Sequence, residues 1–329
     1  MRLTIVRTAA PKKGDEKVSS GASSKSKAPF TVDLAKTDST VDDLKREISK
    51  VTGMAPERQR LTIVGSEDSS ADKKPVVLED GALLSGPKYA ELLKDGGELR
   101  LKDLGPQISW KLVFIIEYLG PLFLHILFCV FRETVYGAKY ELSAVQKVAC
   151  VLFTLHFLKR ELETLFVHRF SHGTMPFTFV FKNSAHYWLL AGVNAGYFVY
   201  GPWLSASSEA GQIRSDPTFL AICVALFAFA EFSNLTTHII LRNLRPPGTR
   251  VRRIPRGYGF DLISCPNYFF EIMAWVVFSA MTGSWAAWLF TLAGGGQMVI
   301  WAQKKHKTYK REFANEYPKN RKILVPFIW

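Results

Sequence analysis

Three polar side chains, Glu231, Asn234 and His238, interrupt an otherwise apolar stretch and could carry chemistry. Their spacing of three and then four residues places them on one face of a helix. Ionisable and amide groups are costly inside a membrane, so such a face marks a candidate functional site, although hydrogen bonds between helices would explain it equally well. The sequence therefore predicts a polar face directed into a helical bundle or a water-filled cavity.

A cluster of arginines follows this face, formed by Arg242, Arg245, Arg252, Arg253 and Arg256. A guanidinium matches the geometry of phosphate through two parallel hydrogen bonds, so the cluster predicts a ligand that carries phosphate. A basic loop that binds lipid head groups would have the same composition.

The next apolar stretch begins with a second polar pair, Asn267 and Glu271, which are four residues apart and therefore on one helical face, with Tyr268 beside them. A carboxylate there requires a partner, either a cofactor hydroxyl or amide or a neighbouring arginine. The chain has no glycine-rich nucleotide turn after a strand, since its glycine run at 294–296 lies in an apolar stretch. A bound nucleotide would therefore be held without a soluble nucleotide-binding fold.

Six apolar stretches are candidates for helices that cross a membrane. They are residues 112–131, 144–157 (extending toward 166), 185–203, 217–241, 266–281 and 285–302. Loops on the side shared by the two termini carry 18 Lys and Arg residues, against 4 on the other side. The positive-inside rule therefore predicts a multi-pass protein in a lipid bilayer with both termini in the cytosol.

The formal net charge of +13 follows from this arrangement, which removes most of the case for nucleic-acid binding. Cysteines are scattered and form no CxxC pair, so we predict neither a bound metal nor a disulfide framework. They are Cys129, Cys150, Cys223 and Cys265.

Residues 1–103 are polar and charged, and their pattern predicts a separate cytosolic α+β domain. Leu3 and Ile5 alternate with polar residues as in a half-buried strand, and residues 30–34 predict its partner strand. A Lys-, Ser- and Gly-rich segment, about residues 10–28, predicts a flexible insertion between them.

A helix is predicted next, because Val41, Leu44, Ile48 and Val51 share one face. Ser39 or Thr40 would cap its start and Gly53 would end it. Further strands are predicted at residues 60–64 and 98–101. The order resembles a ubiquitin-like fold; an unrelated small α+β cap is the alternative.

The C-terminal motifs resemble those of the steroid 5-alpha-reductase superfamily. They are Leu-Arg-Asn-Leu-Arg-Pro-Pro-Gly from residue 241, Arg-Ile-Pro from 253, Ser-Cys-Pro-Asn-Tyr-x-x-Glu from 264, His-x-x-Tyr from 306 and Glu-Tyr-Pro-x-x-Arg from 316. The Ser-Cys-Pro-Asn-Tyr variant and the front domain resemble its trans-2-enoyl-CoA reductase branch.

The resemblance covers essentially the whole chain and implies a six-span all-α domain over residues 104–329. It implies reduction of trans-2-enoyl-CoA with NADPH in the endoplasmic reticulum membrane, the last step of very-long-chain fatty acid elongation. Other elongation enzymes would be partners.

The resemblance also implies site residues. Those lining the cofactor pocket would be Asn234, Arg245, Arg253, Asn267, Glu271, His306 and Tyr309. The arginines would take phosphates, while Asn267 and Glu271 would meet the nicotinamide or ribose end. Steroid-reducing relatives carry an acidic residue where this chain has His238, so that contact differs here.

Conjugate reduction needs a hydrogen-bond donor at the thioester oxygen and an acid that protonates the α-carbon. Tyr268 is the predicted acid, with Tyr258 and Tyr309 as alternatives; a role as an interfacial aromatic anchor is the competing interpretation. Gln107 stands where the family places a polar residue facing substrate; a plain juxtamembrane cap is the alternative. Arg160 and Glu161 would hold polar substrate groups or pair with each other, and Tyr258 would also meet substrate.

Other functions are compatible with these residues. Within the superfamily, the alternative is a steroid or polyprenol double-bond reductase. From other classes, the alternatives are a non-catalytic membrane scaffold with a ubiquitin-like recruiting domain, and a membrane methyltransferase.

Overall fold

A computed structural model gives the fold of most of the chain. It describes residues 2–8, 28–34, 38–63, 75–93, 98–170, 173–246 and 252–329. The predicted insertion lies outside these ranges except for Ala28. Val64 of a predicted strand, and Pro247 and Gly248 of a predicted motif, lie outside them as well. The chain divides into two compact units, Met1–Ile108 with Gly173–Phe177, and Ser109–His172 with Thr178–Trp329. The predicted domain boundary at residue 103 stays a prediction.

The first unit contains a five-stranded sheet, whose strands are Arg2–Thr8 (β1), Phe30–Asp33 (β2), Gln59–Ile63 (β3), Val76–Val77 (β4) and Glu98–Asp103 (β5). Their order is β2-β1-β5-β3-β4, and β1 and β5 run parallel while the other neighbours are antiparallel. Leu3 lies opposite Val32, so the alternation predicted from sequence directs both side chains into the core.

The helix of this unit, Val41–Thr52 (α1), begins and ends as predicted. Thr40 accepts from the backbone N–H of Asp43, whose carboxylate accepts from the backbone N–H of Thr40 in return, which forms a capping box. Gly53 closes the helix at a φ of 68°, a left-handed conformation that glycine adopts without strain. Leu44 and Ile48 are fully buried against the sheet.

The second unit is helical. Its helices are Trp110–Val130 (α2), Arg132–Tyr136 (α3), Ala144–Phe166 (α4), Phe179–Ser184 (α5), a π-helix over Ala185–Ala195, Gly196–Val199 (α6), Pro217–Asn243 (α7), Pro266–Thr282 (α8) and Trp285–Phe313 (α9). Two short strands, Gln107–Ser109 (β6) and Thr174–Pro176 (β7), pair with each other, and all their residues except Ser109 belong to the first unit. Helices therefore occupy all six predicted spans.

Two of these helices, α2 and α7, are long and apolar enough by themselves to cross a membrane. The other four spans stay predictions, because they are shorter, more polar or irregular in part. The last helix, α9, continues well beyond its predicted end at residue 302.

The π-helix was not predicted. It packs against α2, where His125 makes a 2.9 Å hydrogen bond with the Ala191 carbonyl. Trp188 donates from Nε1 to the Ile116 carbonyl over 2.8 Å, and its ring lies directly over Gly120, where a side chain would collide with it. These contacts hold a wide helical turn, which is uncommon and often occurs near functional sites.

Candidate active site

Two helices of the second unit present polar side chains with the same spacing. His156, Lys159 and Glu163 of α4 are separated by three and four residues, as are Glu231, Asn234 and His238 of α7. The two sets meet in order: His156 lies 2.8 Å from Glu231 and Lys159 donates to the Asn234 amide oxygen over 2.7 Å. Glu163 lies 3.0 Å from Nδ1 of His238.

Each of these three pairs is separated by 75 residues in sequence. A constant separation means that α4 and α7 run in the same direction along the contact. The polar face predicted on α7 is therefore directed into the bundle, and its partner is a matching face on α4.

Both carboxylate oxygens of Glu163 have partners. Oε2 lies 2.5 Å from Arg160 and Oε1 lies 3.0 Å from His238. His168 completes a group of possible metal-ligating atoms within 4.8 Å of one another. Burial, and then the nearby charge of Arg160, lower the pKa of His168 to about 3. Because Arg160 and Lys159 already supply positive charge here, the group is an ion-paired cluster and not a suitable cation site.

Helix α8 joins this cluster through the predicted pair, Asn267 and Glu271. The Asn234 amide nitrogen donates to the Asn267 carbonyl over 2.9 Å. Glu271 lies 3.5 Å from Nε2 of His156 and accepts from the Trp275 indole over 3.3 Å. The Asn267 side-chain oxygen is buried and has no hydrogen-bond partner among the described residues, so it is an acceptor available to a ligand.

Tyr268 is directed toward a different neighbour, helix α9. The ammonium of Lys305 lies 5.8 Å from the centre of its ring, and the Trp301 ring lies 6.3 Å away. Its ring also packs on the small apolar cluster around Cys265 and Leu324. Asn267 and Tyr268, although adjacent in sequence, thus contact different helices.

The predicted cofactor residues His306 and Tyr309 lie in a second polar cluster beside the C-terminal segment. Ser264 Oγ lies 2.5 Å from His306 Nδ1 and 2.6 Å from the Tyr317 hydroxyl. Burial, together with Lys310 and Arg321, lowers the pKa of His306, so its ring is neutral at pH 7.

Tyr309 stacks on Tyr317, with ring centres 5.6 Å apart. Burial raises the pKa of the Tyr309 hydroxyl, which keeps its proton at neutral pH.

Arg321 is a buried cation beside this cluster. Its side chain is 0% exposed and its guanidinium lies 5.0 Å from the centre of the Tyr317 ring. The nearest carboxylate, that of Asp261, is 3.8 Å away, and all three guanidinium nitrogens lack a hydrogen-bond partner among the described residues. A buried guanidinium in this state is a candidate binding site for an anion.

The predicted arginine cluster divides between two places. Arg253 lines an open pocket of about 500 Å³ together with Arg252, Arg256, Phe313 and Glu316. Arg245 instead donates to the Arg169 carbonyl over 3.2 Å at the end of α7. Only the first group forms a concave basic surface.

The predicted substrate residues lie around the cluster in the second unit. Arg160 donates to the Tyr118 hydroxyl over 3.0 Å, and Tyr258 makes a 2.7 Å hydrogen bond with Ser233. Glu161 is buried, and its Oε1 has no hydrogen-bond partner within the described ranges. Gln107 belongs to the first unit, where its amide nitrogen donates to the Leu104 carbonyl over 3.1 Å.

Comparison with known proteins adds the family. The 3-oxo-5-alpha-steroid 4-dehydrogenase family matches residues 173–329. A very-long-chain enoyl-CoA reductase of Dictyostelium discoideum is 41% identical over 95% of this chain and 99% of its own length. The chain belongs to the very-long-chain enoyl-CoA reductase family.

Further relatives agree with this assignment. A Schizosaccharomyces pombe protein named as an enoyl reductase is 47% identical over 88% of this chain and 92% of its own length. A human protein named trans-2,3-enoyl-CoA reductase-like is 33% identical over 69% of this chain and 62% of its own length. The predictions of the superfamily and of an enoyl-CoA reductase acting on CH–CH bonds are confirmed at the level of the family.

Five residues of the candidate site of this enoyl-CoA reductase were missed in the sequence. His156, Lys159 and Glu163 repeat the spacing of the α7 face, and that repeat was the available signal. Glu117 is an acidic residue in an apolar span, and its buried Oε2 has no hydrogen-bond partner among the described residues. Arg321 ends the Glu-Tyr-Pro-x-x-Arg motif, but nothing in its neighbours indicated that it would be buried.

Proposed function

We propose that this chain reduces trans-2-enoyl-CoA to the saturated acyl-CoA with NADPH, as the last step of very-long-chain fatty acid elongation. The observation that carries the proposal is a pair of buried groups without hydrogen-bond partners among the described residues, the Asn267 amide oxygen and the Arg321 guanidinium. One accepts a hydrogen bond and the other binds an anion, and a nicotinamide nucleotide has both an amide and phosphates.

The residues present fit such a nucleotide. Asn267 and Glu271 would hold its amide or ribose, since both lie on the α8 face that meets α4 and α7. Arg321 and the arginine pocket around Arg253 would take its phosphates, because the pocket is concave and basic. When bound, the nucleotide would supply the hydride.

Other predicted cofactor residues would act through neighbours. Asn234 is engaged at both ends of its amide, by Lys159 and by the Asn267 carbonyl, so it would position Asn267. His306 and Tyr309 would form the wall beside Arg321, while Arg245 would hold the end of α7.

Tyr268 would protonate the α-carbon of the substrate after hydride reaches the β-carbon. A phenol remains protonated at pH 7, and the ammonium of Lys305 near its ring stabilises the negative charge that forms as it gives up the proton. Gln107 belongs to the other unit, where its amide nitrogen donates to the Leu104 carbonyl, and it stays a predicted donor to the thioester oxygen. Polar groups of the substrate would meet Arg160, Glu161 and Tyr258.

We also propose a six-span protein of the endoplasmic reticulum membrane with both termini in the cytosol. The parallel contact of α4 and α7 supports this topology, because the second and fourth spans of such a protein run in the same direction. The order of the N-terminal sheet supports a ubiquitin-like cytosolic domain. Other elongation enzymes are its proposed partners.

The test is oxidation of NADPH by the purified full-length protein with a long-chain trans-2-enoyl-CoA. We expect turnover in the wild type and a loss of roughly 10²–10⁴-fold in kcat for Tyr268→Phe, with NADPH binding retained. Tyr197→Phe is the matched control, since its ring packs on Tyr136 and Trp203 and not on α8.

Other outcomes separate the alternatives. A preference for a 3-oxo-4-ene steroid over the enoyl-CoA would favour a steroid reductase. A folded protein that neither binds nor oxidises NADPH would favour the alternative function, a non-catalytic membrane scaffold.

A further inference from the structure

Both ring nitrogens of His156 face carboxylates. Nδ1 lies 2.8 Å from Oε1 of Glu231, and Nε2 lies 3.5 Å from Oε1 of Glu271. A neutral imidazole carries one N–H, so one of these contacts would set a nitrogen lone pair against a carboxylate oxygen. The imidazolium carries an N–H on both nitrogens and satisfies both contacts. The ring is 2% exposed, so water cannot substitute for either partner.

The surrounding charges require the same proton. Glu163 is paired with Arg160, and Glu231 lies 2.8 Å from the ammonium of Lys159. Among the described residues, Glu271 has its ion pair with His156 and accepts from a neutral indole, while Arg160 acts on it from farther away. An unpaired buried carboxylate is costly, and a positive His156 supplies a cation to both Glu231 and Glu271.

Other groups around His156 do not replace it. On its own helix the charged neighbours are Lys159, Arg160 and Glu163; α7 presents Glu231 and His238, α8 presents Glu271, and α2 presents Glu117 and Tyr118. The rings of Phe157 and Trp275 cover its remaining sides. The other histidine of this group, His238, faces Glu163 instead.

We infer that His156 holds a proton in the nucleotide-free protein and releases it when positive charge is bound beside Glu271. The inference rests on the proposed function, in which Glu271 lies next to the nicotinamide. The oxidised nicotinamide ring is positive and the reduced ring is neutral. Binding of the oxidised form gives Glu271 a new cationic partner and repels the imidazolium charge.

The proton leaves to water. The charge of the group around His156 then falls by one, which offsets the positive charge of the bound oxidised nicotinamide ring. Binding of the reduced form leaves the proton in place. The proton that the substrate takes up would come from Tyr268, and His156 would take its own proton back from water when the reduced nucleotide replaces the oxidised one.

The first measurement is the dissociation constant of NADP⁺ and of NADPH for the full-length protein across about pH 6 to 8. Release of one proton makes NADP⁺ bind about tenfold more tightly for each unit of increasing pH. We expect NADPH to lack this additional dependence. The nucleotide phosphates titrate in both forms. The difference between the pH dependence of NADP⁺ binding and that of NADPH binding therefore reports the effect of the charge on the nicotinamide ring.

The variants are His156→Gln and Glu271→Gln. The first removes the proton, and the second removes the carboxylate that requires it, so both should abolish the difference between the curves. His186→Gln is the control and should keep it, because His186 packs on Tyr187 and Phe290 outside the network.

The second measurement uses no nucleotide. Nitrogen NMR of histidine-labelled protein at neutral pH should show one imidazolium that is missing in His156→Gln. A singly protonated His156, or an unchanged difference between the curves in His156→Gln, would overturn the inference. If the imidazolium is seen but neither nucleotide binds, the result supports protonation of His156 in the free protein and contradicts the proposed NADPH function.

Discussion

The ammonium of Lys159 donates to the amide oxygen of Asn234 over 2.7 Å, which fixes the amide so that its nitrogen points to the Asn267 carbonyl. The residue marked by sequence as a cofactor contact is thus held by protein at both ends. Asn234 links three helices, and its contribution to binding is to place the start of α8.

Replacing Lys159 with methionine should therefore destabilise the protein. The change leaves Glu231 with one cation fewer and the Asn234 oxygen without a donor. Breaking a buried ion pair costs about 3–5 kcal/mol, which a thermal unfolding measurement of the detergent-solubilised protein will detect. Lys147→Met, at an exposed position of the same helix, should change stability by less than about 0.5 kcal/mol. Equal stability of the two variants would contradict the network.

Arg321→Met should have opposite effects on binding and stability. A buried guanidinium that lacks hydrogen-bond partners within the described ranges is unfavourable in the free protein, so its removal should leave nucleotide-free stability unchanged or higher. A lost charge-assisted hydrogen bond costs about 1.5–3 kcal/mol, so NADPH should bind roughly ten- to a hundredfold more weakly. Calorimetry with and without nucleotide tests both parts, and Arg311→Met, which is exposed, should change neither.

The pH dependence of helix α1 should depend on Asp43. Hydrogen bonds from the Thr40 backbone and side chain, and then a hydrogen bond from Arg46, lower the pKa of Asp43 to about 2. Because the folded pKa lies below the unfolded value of about 3.9, this carboxylate stabilises the helix above about pH 4 and ceases to do so as pH falls toward 2.

Amide hydrogen exchange of α1 in the full chain will test this prediction. Protection should fall over that acidic range in the wild type, whereas Asp43→Asn should show weaker protection at neutral pH and less dependence on pH. Asp42→Asn, in the same first turn, should behave as the wild type does. If Asp42→Asn flattened the profile equally, the capping box would not be its cause.

Gly120→Ala should destabilise the packing of α2 on the π-helix. An added Cβ would lie 2.4 Å from atoms of the Trp188 ring, which is held by its own hydrogen bond. Such overpacking typically costs about 1–3 kcal/mol. Gly296→Ala adds the same methyl group to α9, where nothing lies within 4 Å, and should raise stability by about 0.5–1 kcal/mol in the same unfolding assay.

Much of the fold could be predicted because it follows local rules. Alternation placed β1 and β2, the Thr40 cap and Gly53 bounded α1, and apolar length located the helices of the second unit. Periodicity also placed Asn267 and Glu271 on one face, since a helix fixes the relation of residues four apart.

The rest depended on contacts distant in sequence. Periodicity shows which residues share one face of a helix, but not which other helix packs against that face. The pairing of Glu231 with His156 and of His238 with Glu163 was therefore not predicted. For the same reason Tyr268 was grouped with Asn267, although the two residues face different helices. The burial of Arg321 depends on how the C-terminal segment folds back beside Ser264 and Tyr317.

The π-helix over Ala185–Ala195 has a consequence for how this chain can vary. Its hydrogen bonds join residues five apart instead of four, as if extra residues had been inserted into an ordinary helix. Deleting one residue would tighten the turn and rotate every later side chain of the segment about the helix axis. Trp188 and the Ala191 carbonyl could then not both keep their partners on α2. Insertions and deletions should consequently be tolerated in the loops on either side of this segment, but not within it.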